Sequence, residues 1–178
     1  WAFGFLRMGV TGMTAQEVGK GDVNESYRIL FRGLVIAFLG AVLLLVFKDL
    51  LLQLSLYLID SNINVNHQIT TYFNVRIYAA PATLGVYAFI GWFLGVQNAT
   101  LAMVITISIN VLNAFASYYL VTFMYLETVG VAYGTLISQY VGFLLAAMFF
   151  YIFYRKDLVK KAFKNTFEIS AIKKFMLV

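Results

Sequence analysis

From Ile77 to Tyr154 the chain carries a single charged side chain, Glu127. A helix that crosses a bilayer needs about 20 mostly apolar residues. Three such spans use about 60 residues, so this stretch holds three in close succession with short turns between them. The rest of the chain agrees. A soluble domain carries roughly 25% charged residues, whereas here 12% are charged, 62% are hydrophobic and the mean hydropathy is +0.83. The fold class expected is all-α, a polytopic membrane helix bundle. Cysteine is absent, which removes disulfides, thiol nucleophiles and cysteine metal ligands. The one histidine, His67, lies in a polar stretch and is expected to be a solvated residue rather than a metal ligand.

Five spans are expected, at about 1–16, 33–47, 72–96, 99–122 and 131–154. The first ends at Glu17, where Gly19 and Gly21 supply cap and turn residues. Lys48-Asp49 marks a water interface after the second. The apolar run Leu50 to Ile59 is therefore expected as an amphipathic segment in the interface, since continuing the span would place that charged pair deep in lipid. Residues 60–70 read as a polar loop. Pro81 predicts a kink in the third span. Gln97-Asn98 reads as a minimal turn, and 125–130 as another. Residues 155–178 form a basic tail. The chain opens at Trp1 inside an apolar run and is read as a piece of a larger protein.

Orientation follows from the basic residues. Lys20, Arg28 and Arg32 are expected on the first loop. Arg155, Lys156, Lys160, Lys161, Lys164, Lys173 and Lys174 follow the last span. Together they are ten of the 13 Lys and Arg residues, and 60–70 and 123–130 hold none. The positive-inside rule places both basic segments in the cytoplasm. This requires an even number of spans between them, and four are expected. The net charge of +5 thus speaks for anionic lipid rather than nucleic acid. Phe163, Phe167, Ile172 and Phe175 among the lysines fit a helix lying on the membrane.

The polar residues inside spans are the candidates for function. Thr106, Asn110, Asn113 and Ser117 recur at helical spacing on one face of the fourth span. The stripe is about 16 Å long, half of a roughly 30 Å hydrocarbon core. Two amides facing lipid would be costly, so the stripe faces protein or water. It serves either helix–helix hydrogen bonding or a polar cavity wall. Gly130, Gly134, Ser138 and Gly142 recur every four residues on the last span, a seam of close packing. Thr135 and Gln139 adjoin that seam. Arg7 and Arg76 are charges inside spans, with either structural or pathway roles. No serine–histidine pair, HExxH or phosphate-cradling glycine loop is present. The reading is not an enzyme, which leaves transport, lipid flipping or a scaffold.

Four segments resemble a known family. FLRMGVTGMTAQEVGKGD (5–22), RIYAAPATLGVYAFIGWFLGVQNA (76–99), INVLNAFASYYLV (109–121) and VGVAYGTLISQYVG (129–142) are similar, in order, to helices two, four, five and six of MATE (multidrug and toxic compound extrusion) transporters of the DinF-like branch. The resemblance implies a protein of two six-helix lobes. This chain would hold helices two to six of an incomplete N-terminal lobe (1–154), then a cytoplasmic linker (155–178) toward a C-terminal lobe not in this sequence. It implies a multi-pass protein of the bacterial inner membrane that exports drug-like, often cationic, small molecules against protons or sodium by lobe rocking, without a cofactor. Alternatives are a lipid-linked oligosaccharide flippase of the same superfamily and a non-transporting membrane scaffold. By motif, Asn113 matches a polar position on helix five and Thr135 a cavity threonine on helix six, with Asn110 and Ser117 nearby. Many relatives carry aspartate where this chain has Ser117, and a serine holds no titratable proton.

Overall fold

The computed structural model describes residues 4–59 and 63–158, with side chains of residues 63, 64 and 156–158 left aside. Seven α-helices follow in order: α1 Gly4–Gly19, α2 Val23–Val46, α3 Lys48–Ile59, α4 Ile63–Arg76, α5 Ala80–Gly95, α6 Ala99–Thr122 and α7 Glu127–Leu158. A 3₁₀ turn, Ile77–Ala79, joins α4 to α5. Four helical stretches are long and apolar enough to cross a membrane: Val23–Val46, Val65–Gly95, Ala99–Thr122 and Glu127–Arg155.

α5 is the axis of the bundle. It is apolar on every side, as a helix buried all round must be, and Leu84, Val86, Ala88, Phe89, Trp92 and Phe93 are all buried. α1 runs parallel to it. Gly91 backs onto Arg7 and Gly95 onto Thr11 and Thr14, and a β-carbon at Gly91 would lie 2.7 Å from the Arg7 carbonyl. Thr11 Oγ1 bridges the two helices, donating to the carbonyls of Arg7 (2.8 Å) and Gly91 (3.0 Å). α2 runs antiparallel to α5, with Trp92 Nε1 donating to the Ser26 carbonyl at 2.8 Å and Gly33 seated near Ala88. α7 is parallel to α5. Tyr140 donates to the Tyr78 carbonyl midway along α7 (3.1 Å) and Asn98 to Tyr154 Oη toward its end (3.0 Å).

These pairings sort the connections by end. The turns at 20–22 and 97–98 share one end with Tyr154 and Arg155. The corner at 123–126 lies at the other, beside His67, Gln68 and Thr71, and Tyr78 lies between, level with the middle of α7. Lys20, Arg28, Arg32 and Arg155 thus gather toward one end of the bundle. That end is closed by rings packed round Trp92, whose centroid lies 5.5 Å from Tyr27, 5.1 Å from Phe150 and 4.8 Å from Tyr154.

Three expectations need correction. The span expected at 33–47 is the later part of a helix beginning at Val23, so Arg28 and Arg32 are helical, not in a loop. Asp22 caps this helix by accepting from the Glu25 amide at 3.0 Å. Glu25 then pairs with both arginines, at 2.9 Å from Arg28 and 2.7 Å from Arg32, which offsets part of their charge along the helix. Residues 63–70, expected in a loop, belong to α4. Thr70 and Thr71 bond back to the carbonyls of Asn66 and His67 one turn earlier, and the helix docks on α7. α7 itself begins at Glu127, four residues before the expected Val131.

Other expectations meet the structure directly. α1 ends at Gly19, and Gly21 has φ +78° in the turn after it. The irregularity predicted at Pro81 is the 3₁₀ turn just before it, with Pro81 in the first turn of α5. Gln97 makes the minimal turn with φ 62°. Asn98 then caps α6, accepting from the Leu101 amide at 3.3 Å. α3 is a separate helix with no buried residue, set off from α2 by Phe47. Of the basic tail, residues 159–178 lie outside the described residues, including the aromatic pattern from Phe163 to Phe175.

Candidate functional site

The α6–α7 seam is built on small residues. The helices run antiparallel from the corner at 123–126, with Gly130 against Leu120, Gly134 against Ser117 and Gly142 against Ile109. A β-carbon at Gly134 would come within 2.7 Å of the Ser117 backbone nitrogen. That closeness brings Thr135 within reach of Asn113, whose Nδ2 donates to Thr135 Oγ1 at 3.0 Å. Thr135 Oγ1 passes its own hydrogen to the Val131 carbonyl at 3.0 Å. Ser117 Oγ donates to Asn113 Oδ1 at 3.3 Å. Ser138, fully buried, donates to the Thr135 carbonyl at 2.9 Å.

The chain of bonds is not saturated. An asparagine amide offers two donors and two acceptor lone pairs, and a hydroxyl one donor and two. Asn113 therefore keeps one N–H and one lone pair, Thr135 one lone pair and Ser117 its acceptor pairs. Asn113, Ser117 and Thr135 are half-buried rather than sealed in the seam. Asn110, one turn from Asn113, is exposed and makes no side-chain hydrogen bond among the described residues. Thr106, also exposed, satisfies itself on the Ala102 carbonyl at 2.8 Å. Gln139, half-buried, lies one turn beyond Thr135 on α7.

The expected stripe is thus divided by the structure. Asn113 and Ser117 face α7 and take part in its packing, while Thr106 and Asn110 turn to the open flank. Packing and a half-buried polar face are served by the same residues, halfway along α6.

Arg7 and Arg76 lie elsewhere. Arg7 lines a cleft of about 250 Å³ with Gly4, Met8 and Tyr87. Arg76 lines a second, of about 220 Å³, between the end of α2 and the α4–α5 junction. Neither guanidinium has an ionic partner among the described residues. A third cleft brings His67, Gln68 and Thr71 of α4 against Tyr125, Glu127 and Thr128 at the α6–α7 corner. The sequence did not point to this pairing, because 63–70 read as a loop. Tyr87, shared by the first two clefts, was also missed, although a phenol in an otherwise apolar run was the available signal.

A bundle of apolar helices long enough to cross a membrane, with a half-buried amide–hydroxyl network between α6 and α7, defines a polytopic membrane protein. The MatE family model matches residues 1–119, and the chain belongs to that family. The DNA damage-inducible protein F of Escherichia coli (strain K12) is 29% identical over 144 residues, covering 81% of this chain and 31% of the relative. A solved inward-facing conformation of a multidrug resistance MATE family transporter of the MOP superfamily superposes with TM-score 0.84 at 20% identity, over 98% of this chain and 40% of that one. The outward-facing conformation gives 0.85 at 19% identity, over 98% and 39%. The chain spans about a third of the length of the curated relative it matches. The resemblance drawn from the four sequence segments is shown, and so is the all-α membrane fold.

Proposed function

We propose that this chain forms part of one lobe of a secondary transporter that exports drug-like, often cationic, molecules against protons or sodium, with Asn113, Thr135, Ser117 and Asn110 on the wall of its polar pathway. The observation that carries the reading is the Asn113–Thr135 bond with its unused valences. An amide held half-buried at mid-span, with donor and acceptor to spare, suits a site that exchanges water for ligand polar groups. Family membership and the fold shared with multidrug transporters support the same reading. Ser117 cannot titrate, so a coupling proton requires a titratable group from outside this network. The basic end of the bundle is proposed as cytoplasmic, in a bacterial inner membrane.

The test is water access. In the intact transporter, single cysteines at Asn110 and Asn113 should react with a membrane-impermeant thiol reagent. Cysteines at Val111 and Phe115, which are exposed on other parts of the helix surface, should not. Protection of all four positions would favour a scaffold and overturn the pathway.

A further inference from the structure

Three of the 13 Lys and Arg residues lie neither in the expected first loop nor in the tail: Arg7, Lys48 and Arg76. Two of these lie about the α4–α5 junction. Arg76 closes α4 and lines the cleft together with Leu44, Phe73, Ile77, Ala80 and Leu84. Lys48 opens α3, four residues after Leu44, and its Nζ lies 5.8 Å from the centre of the Tyr78 ring. Arg76 therefore lines the trough itself, while Lys48 stands on the neighbouring Tyr78 ring, one residue along the 3₁₀ turn from Ile77. Asp49 is the acidic neighbour of Lys48. It is exposed and forms no ion pair with either cation among the described residues.

Below the rim the trough is apolar, and it runs inward past Thr83 to Tyr87. Arg76 and Tyr87 are eleven residues apart, about 16 Å along the helix. The apolar run begins at Ile77, so Arg76 stands where the polar α4 gives way to it. A guanidinium stays charged there and attracts an anion. A cationic rim over an apolar trough is complementary to one kind of molecule: an amphiphile with an anionic head and an acyl chain.

We propose that Arg76 and Lys48 hold the phosphate of an anionic phospholipid whose acyl chain lies in the trough between α2, α4 and α5. The lipid is a resident of the bundle and not its cargo. The inference rests on the bundle being embedded in a membrane and is independent of what the bundle transports. The lipid would tie the end of α2 to the α4–α5 junction.

Native mass spectrometry of the intact protein in detergent tests this, with melting temperature as the second readout. Phosphatidylglycerol should remain bound and raise the melting temperature. Phosphatidylcholine should bind at least tenfold less, and inorganic phosphate at millimolar concentration should leave the melting temperature unchanged. The double variant Lys48→Gln/Arg76→Gln should lose the preference for phosphatidylglycerol, and Lys48→Arg/Arg76→Lys should keep it. Thr83→Phe, which fills the trough and leaves both charges, should lose the lipid. Equal retention of the two lipids by the unmodified protein would overturn the proposal, as would an equal melting shift from phosphate alone. Undiminished phosphatidylglycerol binding by Thr83→Phe would do the same. The bound ratio is read on folded molecules, so a poorly folding variant does not decide the result.

Discussion

Gly134 lies against Ser117 so closely that a β-carbon on the glycine would fall 2.9 Å from the serine Cα. Both faces of this contact are backbone, which cannot yield by rotating a side chain. Replacing Gly134 by leucine should force α6 and α7 apart. Overpacking of this kind costs about 1–3 kcal/mol, and here it would also break the Asn113–Thr135 bond. A lower melting temperature and reduced yield of intact Gly134→Leu transporter are expected. Unchanged stability would mean that the helices are less tightly apposed than described.

A second prediction concerns the basic end. Arg32 is 6% exposed in its side chain, and Glu25, 24% exposed, faces both Arg32 and Arg28. Glu25→Gln keeps the shape and removes the charge. Leaving a buried charged donor poorly matched costs about 1–3 kcal/mol. The melting temperature should fall. Because Arg32 is shielded from solvent, the loss should persist at high salt. Full stability of Glu25→Gln would show that other contacts carry Arg32.

Topology offers a third. Gly21 and Tyr125 lie at opposite ends of the bundle, and both are exposed. Cysteines placed there should label from opposite sides of the membrane, Gly21→Cys from the cytoplasm. Labelling of both from outside would overturn the assignment.

These sites differ in how visible they were from sequence. α6 was read with its observed limits because Asn98 caps it and long apolar content leaves no alternative. The polar stripe on it was equally legible, since helical spacing alone aligns Asn113 with Ser117. Its partner was not, because periodicity places a residue on a face without naming the helix opposite. The four-residue recurrence of glycine on α7 hinted at that contact, and the family resemblance named Thr135 alongside Asn113. The start of α2 was hidden by charge. Glu25, Arg28 and Arg32 look like a solvated loop, yet one carboxylate pairs with both arginines along one helix. α4 was hidden by polarity, as its threonines satisfy their hydroxyls within the helix. The placement of Lys48 and Arg76 about the α4–α5 junction depends on how α2 packs there, which no local pattern encodes.

The last prediction separates the two duties of Asn113. Its Nδ2 ties α6 to α7 through Thr135, and one donor and one acceptor lone pair remain unused. Asn113→Leu removes both while keeping the same number of side-chain heavy atoms. A neutral interhelical bond in a membrane is worth about 0.6 kcal/mol, so the melting temperature should change little. If the flank is a pathway, drug export should fall several-fold while insertion stays intact. Loss of stability ahead of export would identify a packing residue instead. Ser117→Asp supplies the complementary measurement. A carboxylate on a wet flank is tolerated and adds a pH-dependent component to export, because the new group titrates where serine does not. Buried in a dry seam it would be an uncompensated charge and should disrupt folding. Export by Asn113→Leu equal to that of the unmodified transporter would remove the residue from the pathway.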